Sequence, residues 1–122
     1  IDRSLIYPAS FESETLMVIA ATTSSGGMAS FSNYGLVGVD LAAPGSGIYS
    51  TTPGNRYGNM SGTSMASPNS VGVAAEVLSR HPELSPIQLK QVLMDNVTKV
   101  SRYETRMVSG GRINLLKTLQ GL

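Results

Sequence analysis

The sequence predicts an α/β fold built on a mostly parallel sheet. Three features carry this: short continuous apolar runs closed by turn residues, two helix signals that follow them, and a concentration of small residues along the first helix. Strands that lack in–out alternation suit a sheet covered on both faces, the usual setting of parallel strands. With 122 residues, 41% hydrophobic and 14% charged, the chain is sized for one compact unit with a real core.

The first apolar run, Leu16 to Ala21, ends in Thr22–Thr23 and is broken by Ser24–Ser25–Gly26–Gly27, which reads as a buried strand and a turn. Val37 to Ala43 repeats the pattern and is closed by Pro44–Gly45. Ile48 to Thr52 is a third strand, turned by Pro53–Gly54–Asn55. From Thr63 to Arg80 the residues Met65, Ala66, Val71, Ala74, Ala75, Val77 and Leu78 run without a β-branched block, with Pro82 just beyond. They read as one long, closely packed helix. Pro68 is expected in its opening turn, where backbone N–H groups have no partner inside the helix.

Ser85–Pro86–Ile87–Gln88 announces a second helix, with a serine cap, proline at the first helical position and glutamine three residues after the cap. Leu89, Val92, Leu93 and Val97 mark its buried face. Residues around Met107–Val108 look strand-like, Gly110–Gly111 punctuates them, and Ile113 to Leu119 reads as a short terminal helix. No repeat or inter-domain linker is visible. Helices following strands give an α/β layer, yet three or so strands leave one side of the long helix and a strand edge without cover.

Composition removes several function classes. A formal net charge of +1, with no Lys/Arg cluster, gives no electrostatic reason to expect nucleic acid or an acidic membrane as partner. The apolar runs span a few residues, against about 20 for a membrane-spanning helix. With no cysteine there is no disulfide, thiolate zinc site or cysteine nucleophile.

The most informative string is Ser61–Gly62–Thr63–Ser64–Met65–Ala66–Ser67–Pro68, at the junction of a glycine-bearing loop and the long helix. A helix N-terminus presents unpaired N–H groups and partial positive charge, so an oxyanion forming beside Ser64 would be stabilised there. Gly62 would let a substrate backbone approach closely. Gly-Thr-Ser alone is equally an ordinary helix cap, with Thr63 or Ser64 bonding first-turn amides. It is not the Gly-x-Ser-x-Gly elbow of the α/β-hydrolases, because Ala66 stands where that elbow needs glycine.

The longer string resembles the nucleophile signature of the subtilisin-like (subtilase) serine peptidases. The likeness extends to Ala29–Ser30–Phe31–Ser32–Asn33–Tyr34–Gly35, Asp40–Leu41–Ala42–Ala43–Pro44–Gly45 and Tyr49–Ser50–Thr51–Thr52–Pro53–Gly54, in the family's order. Downstream, His81–Pro82 and Ser109–Gly110–Gly111–Arg112–Ile113–Asn114 are also similar. The resemblance implies a three-layer subtilisin-like fold of which residues 1–122 form the C-terminal portion. It implies Ser64 as the nucleophile of a serine endopeptidase working through an acyl-enzyme, with Gly62, Thr63 and Ser64 at the oxyanion and substrate-approach position.

In that family the order is Asp, His, Ser, and the oxyanion asparagine precedes a segment similar to Tyr7–Pro8–Ala9. All three are therefore expected upstream of Ile1, and this portion alone is expected to be inactive. The implied partners are a protein or peptide substrate and the N-terminal half of the same domain, with self-association of the fragment as a further expectation. The implied location is secreted or cell envelope. No cofactor is required for the chemistry.

His81, the only histidine, is tempting as a general base. It lies about 25 Å from Ser64 at 1.5 Å per residue and is better explained by the helix dipole. Asp40 lies where related enzymes often bind a cation, so structural calcium is conceivable; a single carboxylate, however, is thin support for an ion that takes six to eight oxygens, and no metal ligand is assigned. Met65 reads as packing beside the nucleophile and as an oxidation point. Where the family commonly shows His-Val-Ala-Gly, this chain has Asn69–Ser70–Val71–Gly72. That departure motivates the alternative, a catalytically silent subtilisin-like domain that binds a peptide or protein. The triplets Asn59–Met60–Ser61 and Asn96–Val97–Thr98 fit the glycosylation pattern but receive no role.

Overall fold

A computed structural model describes all residues, 1–122. Its main sheet has the order β1-β2-β6-β5, formed by β1 (Ile19–Thr22), β2 (Leu41–Pro44), β6 (Gly111–Arg112) and β5 (Thr98–Lys99). β1 pairs with β2 and β2 with β6 in parallel, whereas β5 and β6 are antiparallel. A separate hairpin joins β3 (Ile48–Thr52) to β4 (Arg56–Met60). Between them lie α1 (Thr63–Arg80), α2 (Pro86–Asp95) and, at the end, α3 (Leu115–Gln120).

The mostly parallel α/β sheet is as expected, with shifted bounds. The first run forms a strand only from Ile19, and Thr22 belongs to it. The second forms one only from Leu41, because the preceding Val37 and Gly38 offer their N–H groups to the Asp2 carboxylate at 3.1 and 2.8 Å instead of to a strand. These bonds, that of Val37 first, hold the Asp2 carboxyl below its ordinary range. Its contribution to stability is therefore present above the ordinary aspartate pKa and lost as pH falls through the lower folded value.

Met107–Val108 is not a strand. Met107 lies buried in a turn against Tyr103, Val39, Ala20 and Ala42, and pairing occurs instead at Gly111–Arg112. β4 is not evident in the sequence because Arg56, Tyr57 and Asn59 carry no apolar pattern. Pairing with β3 makes it a strand, across a turn in which Gly54 and Asn55 take positive φ.

α1 lies on one face of the sheet through Ala66, Ser70 and Val77, with Val73 and Ala74 packed beside them. Ala21 and Ala43 project into the same core, so helix and sheet meet through small side chains. Pro68 sits in the second helical turn, not the first. It therefore removes the N–H that would bond the Ser64 carbonyl four residues back. α2 begins with the expected capping box: Ser85 Oγ accepts from Gln88 N–H and the Gln88 side chain accepts from Ser85 N–H.

The opposite face of α1 is bare. Ser64, Pro68, Val71, Ala75 and Leu78 follow one another at helical spacing and are all exposed, Val71 at 63%. This is the uncovered side anticipated from the small number of strands. The outer edge of β1 is less open than anticipated. Ala21 N–H donates to Ser32 Oγ, the Ala21 carbonyl accepts from Ala29 N–H, and Thr23 N–H donates to the Gly27 carbonyl. The chain after β1 thus folds back and covers that edge from Ala21 onward.

Two stability tests follow. Ser85→Ala removes the α2 cap and is expected to cost about 1 kcal/mol in urea unfolding. The buried Thr22 hydroxyl has no hydrogen-bond partner, so the near-isosteric Thr22→Val is expected to leave stability unchanged or raise it by about 1 kcal/mol. A loss above that size would show an unrecognised partner for the hydroxyl.

Candidate active site

The nucleophile candidate is placed by a loop, a hairpin and a helix. Gly62 forms the N-cap of α1 with a positive φ of 158°, and no side chain caps the helix there. Ser64 and Thr63 lie inside the first turn, which removes the capping role that the bare Gly-Thr-Ser allowed. The Gly62 carbonyl accepts from Met65 and Ala66 N–H at 3.0 and 3.4 Å. The amides of Thr63 and Ser64 come earlier still, where a helix has no internal acceptor to offer them. Among nearby hydroxyls, Ser61 accepts from Gly47 N–H and Ser70 donates to the Ala66 carbonyl, whereas that of Ser64 is bonded to nothing in the chain.

Ser64 opens on a cavity of about 190 Å³ whose other walls include Ile48, Ser50 and Met60 from the hairpin and Met65 and Pro68 from α1. Ile48 pairs with Met60 and Ser50 with Gly58 in the β3–β4 register, so one hairpin face supplies these walls. Tyr49 and Tyr57 stack on each other with ring centroids 5.9 Å apart, on the alternate positions. No titratable side chain lines the cavity. The site therefore combines a free hydroxyl, unpaired helix-start amides and an apolar wall. It holds no base.

His81 does not approach it. It caps the far end of α1 through a bond from its N–H to the Val77 carbonyl, and its Nδ1 lies 3.2 Å from Glu83 Oε1. Asp40 is distant in role as well. Its Oδ2 accepts from Val18 N–H at 2.8 Å and its Oδ1 lies 3.3 Å from Lys90 Nζ, which also donates to the Leu16 carbonyl at 2.6 Å. An ammonium already faces this carboxylate, and no three His, Cys, Asp or Glu side chains converge anywhere in the structure. Asp40 is thus held by an ammonium and a backbone amide of its own chain. Asn69 is exposed and the Ser70 hydroxyl is buried but bonded, so the departure from the family string is accommodated without an orphaned group.

The subtilase family model matches residues 2–111. The chain belongs to the subtilase family. It is 38% identical over 111 residues to the M-protease of Shouchella clausii, covering 91% of this chain and 28% of that relative. It is 37% identical to subtilisin BL of Lederbergia lenta, covering 91% and 39%. Among solved structures it is similar to the A-subunit of the AB5 toxin from E. coli, with TM-score 0.82, 27% identity, and coverage of 95% and 43%. The prenylagaramide maturation protease gives 0.79, 29%, 95% and 45%. The fold is thus the subtilase α/β fold represented in part: the chain spans about a third of the length of the curated relatives it matches.

Sequence reasoning named Ser64, Gly62 and Thr63, which lie together at the start of α1, and did not foresee the hairpin wall or the Lys90 contact. The hairpin wall is not visible in Arg56–Met60 taken alone. Lys90 sits on the polar side of an amphipathic pattern, and only the fold carries it to Leu16, 74 residues away. Lys90→Met is expected to lower stability by about 2 kcal/mol, the scale of a hydrogen-bonded charge left without its partner. A companion Asp40→Asn should recover part of that loss in a double-mutant cycle, and strict additivity would show that the pair is not coupled.

Proposed function

We propose that this chain is the C-terminal portion of a subtilisin-like peptidase domain and that the whole protein is a serine endopeptidase using Ser64 as nucleophile. The observation that carries the reading is the free, exposed Ser64 hydroxyl at the uncapped start of an 18-residue helix. The Ser64 oxygen attacks a substrate peptide carbonyl and passes its proton to a histidine supplied upstream. The negative charge on the carbonyl oxygen is met by the Ser64 N–H and by an asparagine from the same upstream part. Collapse releases the amine product and leaves an acyl-enzyme, which water hydrolyses. Gly62 and Thr63 form the approach to the reacting carbonyl, and no metal or organic cofactor takes part.

The bare stripe of α1 supports the arrangement. Ser64 begins the row that continues through Pro68, Val71, Ala75 and Leu78. A partner surface covering that row brings its own groups up to the nucleophile, so the same contact buries apolar area and completes the site. The remainder of the domain is the natural cover. Without it, this portion is inactive, because a serine hydroxyl with no base stays protonated, and its uncovered face favours self-association. Activity on protein or peptide substrates fits a secreted or envelope location, as does the kinship with the named proteases.

The test is labelling of the full-length protein with a fluorophosphonate probe, followed by mass spectrometry of the modified peptide. The adduct is expected on Ser64 and absent from Ser64→Ala. A folded full-length protein that takes up no probe would instead favour the silent peptide-binding domain.

A further inference from the structure

The start of α1 is held by a loop that the sequence places 17 residues earlier, and its tightest point is Gly45. Three contacts define it. Gly45 N–H donates to the Thr22 carbonyl at the end of β1 at 3.1 Å, and the Gly45 carbonyl accepts from Gly62 N–H at 2.7 Å. Two residues on, Gly47 N–H donates to Ser61 Oγ at 2.8 Å. The segment leaving β2 is thus fastened to the sheet on one side and to the residues preceding Ser64 on the other.

No side chain fits at position 45. A Cβ there would lie 2.6 Å from Ala21 Cβ, 2.8 Å from the Gly62 carbonyl oxygen and 3.2 Å from Ala66 Cβ. Contacts below 3.0 Å force something to move. Ala21 belongs to the sheet, but the Gly62 oxygen accepts the first two bonds of α1, from Met65 and Ala66. Displacing it displaces the turn that carries Ser64. Gly62 itself shows no such crowding: a Cβ there would meet only Met65 Sδ at 3.5 Å and Ser64 N at 3.6 Å, which is ordinary contact. Gly62 is constrained instead by its own backbone, whose φ of 158° side-chain-bearing residues rarely adopt, whereas Gly45 is constrained by the space around it.

We infer that Gly45 is a positioning residue for the reaction, setting the place of the Ser64 hydroxyl and N–H through the Gly62 carbonyl. This rests on the reading of Ser64 as nucleophile and adds to it a residue that touches no substrate. Its side-chain-free backbone lets the end of the sheet bear directly on the peptide group that opens α1. Misplacement of reacting groups by about 1 Å costs on the order of 100-fold in rate.

The test uses the full-length protein in four forms: unaltered, Ser64→Ala, Gly45→Ala, and Gly45→Ala combined with Ala21→Gly. The added Ala21→Gly relieves the contact with the sheet and leaves the contact with the Gly62 oxygen. Each form is measured for its melting temperature, its fluorophosphonate labelling rate, and kcat and KM on a peptide substrate. The expected result is a labelling rate and kcat reduced about 100-fold in Gly45→Ala with KM little changed. In the double variant the melting temperature recovers while labelling and kcat do not. Normal labelling in Gly45→Ala, or recovery of stability and rate together in the double variant, would overturn the inference and leave Gly45 a packing residue. An unaltered protein that does not label fails at the earlier step, since the role of Ser64 then falls and that of Gly45 falls with it.

Discussion

The close approach of α1 to the parallel pair β1–β2 is the constraint on which the rest of the structure depends. Ala21 and Ala43 from the strands meet Ala66 and Val77 from the helix within one buried cluster. Larger side chains would hold helix and sheet apart, and the peptide group of Gly62 would no longer reach that of Gly45. The energetic return of this interface per residue is modest, because alanine buries little area. What it provides is rigidity: small side chains have no rotamers to explore, so the two backbones fix one another directly.

That arrangement also explains the division of labour along α1. The face through Ala66, Ser70 and Val77 belongs to the sheet, and the face through Ser64, Val71 and Leu78 is open. A nucleophile on the sheet-facing side would be sealed in the core. One on the open side is accessible but lacks any neighbour capable of taking its proton. The geometry gives Ser64 a free hydroxyl and helix-start amides; under the proposed function, proton transfer falls to whatever covers the open face.

Much of this was legible in the residues themselves, for identifiable reasons. Both long helices announce their ends chemically: Ser85, Pro86 and Gln88 form a cap recognisable without coordinates, and α1 is bounded by a glycine loop and by Pro82. Ser64 stood out because its string is long and specific. The strands were harder. Thr98–Lys99 and Gly111–Arg112 have no periodicity to detect in two residues each, and they become strands only because they pair with one another and with β2. Val37 belonged to an apolar run and yet faces solvent, since Asp2 takes the backbone there. The Gly45–Gly62 contact was beyond sequence reasoning altogether, because glycine signals turns everywhere and names no partner.

The pairing of β2 with β6 has a temporal side. Ala42 stands opposite Arg112, 70 residues later in the chain, and this chain's own residues at the candidate site lie between them. The sheet that supports the Ser64 turn therefore closes only after a long loop has been brought together, at an entropic cost met before the contacts repay it. Topologies dominated by such distant pairings form slowly. On a ribosome, the residues that complete this sheet are among the last of the 122 to emerge, so the serine is synthesised well before the framework that aims it exists. A nascent chain halted short of Gly111 would carry the whole nucleophile signature and lack the parallel partner that closes the far side of β2.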